Sequence, residues 1–152
     1  PPIRDYWRAA KGPASKEWGA WKGENDALRT LADAVDTLYP SLYTFYSDQD
    51  GWVHFARAQI EEARRYGKGK PVYVFLWPQY HDSNRELAGN YLPADYWRLE
   101  LETVKQYADG IVIWGGWGKN NRPAKWEDDA PWWKVTKEFM KTLKAFPQRR
   151  LP

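Results

Sequence analysis

The chain has 152 residues, and its 23 basic against 20 acidic side chains leave a net charge of only +3. That balance argues against a nucleic-acid surface, which concentrates Lys and Arg on one face; the basic clusters Arg64-Arg65, Lys68 to Lys70 and Arg149-Arg150 are short enough to be solvated helix ends and tails. No apolar run approaches the ~18 residues of a membrane span, and zero cysteines exclude a disulfide framework and a thiolate metal site.

In chain order, residues 1–24 show no clean period. Trp7, Trp18 and Trp21 stand among Lys and Gly, so this stretch is expected to be irregular, either a loop over a site or the remnant of an earlier unit. The start "PPIRDYWRAAKGP" has no signal-peptide core, which leaves a mature product, a trimmed chain or a piece of a longer one as alternatives. Residues 25–36 place Leu28, Leu31, Ala32 and Val35 on one helical stripe, capped by Asn25 or Asp26. "LYPSLYTFY" (38–46) reads as a strand that begins at about Ser41, because Pro40 lacks an N–H. A helix over 51–66 gathers Phe55, Ala56, Ile60 and Ala63 and stops at Gly67. "PVYVFLW" (71–77) and "GIVIWGG" (110–116) are continuous apolar strands, as in a parallel sheet covered by helices. Between them a helix over 94–108 faces Leu99, Leu101, Val104 and Ala108 inward. A last helix over 131–145 opens on Pro131 and buries Trp132, Val135, Phe139, Met140 and Leu143.

Strand–helix alternation of this kind predicts an α/β fold of parallel βα repeats. Three strands leave two open edges. The expectation is therefore a TIM-barrel-like partial or half barrel: residues 1–152 form one α/β domain or the C-terminal part of a (βα)8 barrel, whose full length is about 250 residues. The missing half, or a second copy of the chain, is the partner this would require.

Ligands of such folds meet the loops after the strands' carboxyl ends. Those loops carry Tyr43, Tyr46, Ser47, Asp48 and Asp50; then Trp77, Gln79, Tyr80, His81, Asp82 and Asn84; then Trp114, Trp117, Asn120 and Asn121. Eleven Trp and ten Tyr exceed what a core of this size uses. Flat aromatic faces mixed with amides, carboxylates and hydroxyls are what a sugar site needs, one for the ring and the other for its hydroxyls. The candidate ligand is a polysaccharide or oligosaccharide, bound by Tyr43, Tyr46, Asp48, Trp77, Gln79, Tyr80, Trp117 and Asn120. Plainer readings stand beside these. Asp48 and Asp50 singly suit a capped turn, Trp77 and Trp114 suit sheet packing, and Gly115-Gly116 suit a simple change of direction. The run Glu127, Asp128, Asp129 suits the dipole of the last helix, with one of them reaching over the strand ends as an acid as the less favoured alternative. Neither the D-x-D of 48–50 nor His54 and His81 has metal-site spacing, so no metal or cofactor is expected.

The segments "NDALRTLADAVDTLYPSLY" (25–43), "PVYVFLWPQYHDSN" (71–84) and "ADGIVIWGGWG" (108–118) together resemble the last three barrel units of the hyaluronidases, a glycoside hydrolase family. Those units carry N-D-x-L before LYPS-x-Y, a P-V-x-x-Y-type strand with an aromatic-Asp loop, and a closing G-x-V-x-W-x-x-W. The resemblance implies that Tyr43, Asp82 and Trp117 line a sugar cleft, with Tyr80 a weaker match. Trp117 would be a wall facing the sugar ring, and Tyr43 would orient an N-acetyl group. The family's Asp-x-Glu acid has no counterpart in residues 1–24, and the cysteines of its eukaryotic members are missing too, so hyaluronan specificity does not carry over.

Substrate-assisted hydrolysis dispenses with a second close carboxylate. If the chain acts alone, Asp82 is the catalytic acid candidate, with Tyr80 and Trp77 to desolvate it and raise its pKa; in a half barrel it orients substrate instead. The expectation is thus a carbohydrate-active, glycoside-hydrolase-like protein, secreted or periplasmic. The alternatives are a non-catalytic carbohydrate-binding module and a self-associating structural half barrel.

Overall fold

A computed structural model of the chain describes residues 5–115, 122, 123 and 125–144. They form a mixed α/β structure with helices α1 (Tyr6–Ala10), α2 (Lys16–Ala27), α3 (Arg29–Asp33), α4 (Gln49–Gly67), α5 (Ala94–Tyr107) and α6 (Pro131–Lys144), and strands β1 (Tyr73–Leu76) and β2 (Gly110–Ile113). The strands pair in parallel, Tyr73 opposite Gly110 and Leu76 opposite Ile113. Among the described residues the sheet does not close into a barrel.

The first predicted strand is present as an extended segment, 38–44, joined by separate parallel bridges to β1 and to residues on either side of it: Leu38 to Val72, Ser41 to Phe75 and Thr44 to Tyr80. Its hydrogen bonds begin at Leu38, earlier than the Pro40 argument places them: Leu38 N donates to Pro71 O and Leu42 N to Phe75 O, both at 2.9 Å. By the same alternation Pro40 would donate to Tyr73 O, and its missing N–H interrupts the ladder there. Beyond Ser41 the pairing slips by two residues, so that Thr44 meets Tyr80. Pro78, the other residue without a donor in this stretch, lies within the slip.

One sheet face is sealed. Val72, Val74 and Leu76 are fully buried and join a core with Trp52, Phe55, Ala56 and Ile60 of α4 and Trp97, Leu101 and Val104 of α5. That burial is worth about 1.5–3 kcal/mol for each large apolar side chain; the cover on both faces expected from the continuous apolar runs is found on one face alone, since half-buried and buried residues alternate along β1. The other face carries Tyr73 and Phe75, only half buried, with the exposed Tyr39 ring at 5.9 and 5.8 Å from them. Gly110 makes room for this layer, since a Cβ there would stand 2.9 Å from the Tyr73 ring.

Residues 1–24, expected to be irregular, hold two helices. Asp5 caps α1 by accepting from Arg8 N at 2.8 Å, and Ser15 caps α2 by accepting from Trp18 N at 3.1 Å. Only Trp18, Trp21 and Asn25 turn α2 toward the body, too few to make a stripe. Asn25 and Asp26 are accordingly the last turn of a helix rather than the cap of one. The Asn25 carbonyl accepts from both the Tyr66 hydroxyl and Leu28 N, which tightens the turn and ends α2 at Ala27. Leu28 and Leu31 of the predicted stripe are exposed, and only Ala32 is buried. Met140 and Leu143 of α6 are likewise exposed, while Val135 and Phe139 face the core. The helix over 51–66 extends to Gln49–Gly67, with Lys68 rather than Gly67 in the left-handed conformation at its end (φ 50°).

Two outcomes test this packing. Trp97 is buried on α5 and its indole Nε1 donates to Thr136 Oγ1 on α6 at 2.9 Å; Trp97→Ala is expected to lower the unfolding free energy by about 3–5 kcal/mol in urea titration. Lys68→Gly should raise the thermal midpoint, gaining about 0.5–1 kcal/mol by relieving a left-handed non-glycine residue.

Candidate functional site

The carboxyl ends of β1 and β2 open into an aromatic cleft of about 410 Å³. Three stretches of chain build it. After β1, residues Trp77 to Tyr80 run into a loop that returns at Tyr91: Gln79 bridges Tyr91 antiparallel, and Leu92 N donates to Pro78 O at 3.0 Å. After β2, Trp114 N donates to Leu76 O at 2.7 Å, which holds Trp114 and Gly115 beside the end of β1. The third stretch, Lys125 to Trp133, enters α6 through Ala130-Pro131 and brings three more tryptophans to the rim.

Ring geometry gives the cleft its walls. Tyr91 and Trp132 lie nearly parallel, 12° apart with centroids at 6.3 Å. Trp126 stands at 88° to Trp132 and 5.9 Å away, so the two make a corner, and Trp133 packs behind Trp126 at 5.0 Å. Much of this surface is open: Trp126 is 56% exposed, and Tyr91 and Trp114 are each 46% exposed. Trp126 is oriented by its indole, which donates to Asp128 Oδ1 at 3.0 Å. Trp114, read as sheet packing, is instead a cleft wall, because β2 has no neighbour beyond it among the described residues. Gly115 needs no special backbone angle, and a Cβ there would meet nothing within 4 Å among the described residues.

The polar groups of the lining divide into engaged and free. Gln79 is buried, and its amide accepts from Trp77 Nε1 and donates to Gly89 O, both at 2.9 Å. It fixes the loop rather than offering a fork. Asp129 is paired with Lys134 at 3.2 Å. Lys125 and Glu127 both line the cleft, exposed, with no side-chain hydrogen bond or ion pair among the described residues. Of the acidic run, Glu127 is the residue in the described cleft lining.

The other predicted residues fall in different places. Tyr43 and Trp77 meet edge to face at 5.8 Å, and Tyr43 stacks on His81 at 5.9 Å, making an aromatic cluster beside the cleft that reaches it through the Trp77–Gln79 bond. Tyr46 packs with Tyr6 and Trp7, farther from the cleft, and Phe45 links that group to His81. Asp48 is the N-cap of α4, accepting from Gly51 N at 2.9 Å. Tyr80 is buried against Tyr96, and burial, then the nearby Glu100, raises its hydroxyl pKa. Asp82 sits exposed in a turn, so Tyr80 and Trp77 do not enclose it, and it is not in the cleft lining. Trp117 and Asn120 lie outside the described residues.

Sequence reasoning missed Tyr91, Trp126 and Trp132 as walls. Their signal was available in the exposed-looking "KWEDDAPWW" and in Tyr91 before Leu92-Pro93. It also missed Glu100, which is wholly buried on α5 and accepts from the Thr44 hydroxyl, while its second oxygen has no partner among the described residues. Burial pushes this carboxyl well above the ordinary glutamate range, and the Thr44 bond offsets that only partly. Glu100 thus ties α5 to the extended segment through the Thr44 hydroxyl.

A raised native pKa means that the folded state holds the proton more tightly. Glu100's contribution is complete below the ordinary glutamate pKa of about 4.3 and is lost as pH rises from there toward its native value. Urea midpoints measured across that range should fall with pH more steeply in the wild type than in Glu100→Gln, which keeps the Thr44 bond without a titrating proton.

Set against known proteins, the sequence matches no family model and no curated protein.

Proposed function

We propose that the chain is a carbohydrate-active protein whose aromatic cleft binds a polysaccharide or oligosaccharide, and that its parallel units are part of a glycoside-hydrolase-like barrel. The observation that carries the reading is the corner of exposed rings, Trp126 against Trp132 and Tyr91, at the carboxyl ends of parallel strands. Pyranose rings present C–H faces that rest on such surfaces, while Lys125 and Glu127 supply a donor and an acceptor for hydroxyls at the rim. The likeness of strand-end motifs to the hyaluronidases adds to this reading.

Binding is the part of the activity that the described lining supports. Glycoside hydrolysis by two carboxyl groups places them about 5–9.5 Å apart across the bond, and Glu127 is the one carboxylate of the described lining. Hydrolysis would take a second carboxylate from further barrel units, or an acetamido group on the substrate.

A second reading, association through the sheet, is favoured by the half-exposed layer of Tyr39, Tyr73 and Phe75. Parallel sheets occur almost only with both faces covered, and this face has no helix over it among the described residues. Further βα units or a second copy of the chain would cover it.

Tryptophan fluorescence titration with hexasaccharides is the direct test. Saturable quenching or enhancement is expected, weakened at least about tenfold in Trp126→Ala; no response to any glycan would reject the sugar reading. Sedimentation equilibrium checks the second reading, which predicts a mass of two chains at micromolar concentration and is abandoned if the mass stays that of one.

A further inference from the structure

We infer that the cleft takes an uncharged, hydroxyl-rich glycan and discriminates against anionic polysaccharides. The inference rests on the sugar reading above and concerns which sugars the same cleft admits. Its basis is the charge arrangement around the rings. Of the ionisable side chains in the described lining, Lys125 and Glu127 are one cation and one carboxylate, and neither is neutralised by a described neighbour. Behind them Asp128 and Asp129 face Lys134 and Lys137: Lys134 pairs with Asp129 at 3.2 Å, and Lys137 donates to Asp128 O at 3.3 Å while lying over the Trp133 ring. Among the described residues the rim therefore has no surplus positive charge.

An acidic polysaccharide carries a carboxylate on every residue or every second residue. Its binding sites use arginine forks or an unbalanced field, because a guanidinium matches a carboxylate with two parallel hydrogen bonds and a lysine does not. The described lining offers one lysine, and Glu127, two positions away in sequence, would repel the carboxylate that Lys125 attracts. Arg122 is exposed but is not in the lining.

A neutral pyranose chain fits each of these groups. Free Glu127 accepts from hydroxyls through either oxygen, and Lys125 donates to hydroxyl or ring oxygens. The Trp126–Trp132 corner gives one ring to stack on and one to limit the sugar's edge. Displaced water is replaced by direct bonds without stranding a charge, which is where an ionic ligand would lose affinity.

The test measures, by tryptophan fluorescence and calorimetry, the affinity for four hexasaccharides at physiological salt: cellohexaose and mannohexaose as neutral probes, hexagalacturonate and a hyaluronan hexasaccharide as anionic ones. At least one neutral probe should bind about tenfold more tightly than either anionic one. Glu127→Gln, which removes the charge, should raise anionic affinity several-fold relative to the affinity for the neutral probes. Equal or tighter binding of an anionic probe, or no gain for it in Glu127→Gln, overturns the proposed selectivity and leaves the sugar site standing. Silence toward all four probes, with the variant still folded by circular dichroism, overturns the sugar reading itself.

Discussion

The parallel hydrogen bonding of β1 to its two neighbours holds the rest of the structure in place. Strands that run the same way must send all their exits to one end, so the loops after Thr44, Leu76 and Ile113 converge whatever their own preferences. The register is held by burial: a one-residue slip of β1 would carry Val72, Val74 and Leu76 out from under α4 and α5 and turn Tyr73 and Phe75 in. Two of the cleft's walls are tied to that register. Trp114 is placed by its bond to Leu76, and Tyr91 by the chain's return past Pro78.

Around this frame, polar groups are spent on position. Gln79, Asp128 and Glu100 each hold an aromatic residue or a neighbouring segment: Gln79 the Trp77 indole, Asp128 the Trp126 indole, and Glu100 the Thr44 hydroxyl that joins α5 to the sheet. What remains uncommitted at the rim is a small set, Lys125 and Glu127 among exposed rings. The described lining thus presents mainly ring faces and few charges.

The sheet's uneven covering separates its two faces in kind. The helix side is a dry core of aliphatic and Trp side chains, while Tyr39, Tyr73 and Phe75 form a half-open aromatic layer with Gly110 recessed beneath Tyr73. In a closed barrel such a layer would be the interior, filled by side chains from opposite strands. Beside β2, Ile113 and Met140 are exposed, and no further strand pairs with β2 among the described residues.

Element types and order were legible in the sequence because they follow from local spacing. The apolar runs at 71–77 and 110–116, and the helical stripes before and after them, need no knowledge of what they touch. The parallel α/β class follows from that order. The half-barrel expectation draws on the same order, and the structure shows only its coarser part, an unclosed parallel sheet. Legibility failed where a contact distant in sequence decides. Tyr66 ends α2 from 41 residues away by taking the Asn25 carbonyl, and Trp7 and Trp21 look alike in sequence although one is exposed and the other wholly buried. The site shows the same division. That aromatics would gather at the strand ends was readable from composition and position. Which of them would present a face was settled by packing: Trp77 gives its indole to Gln79 and is buried, Trp114 loses its cover at the sheet edge, and Trp126 is turned outward by Asp128. Local sequence sets what each segment can be; only the folded chain decides which side chains are left over to meet a ligand, because exposure is a property of neighbours and not of the residue.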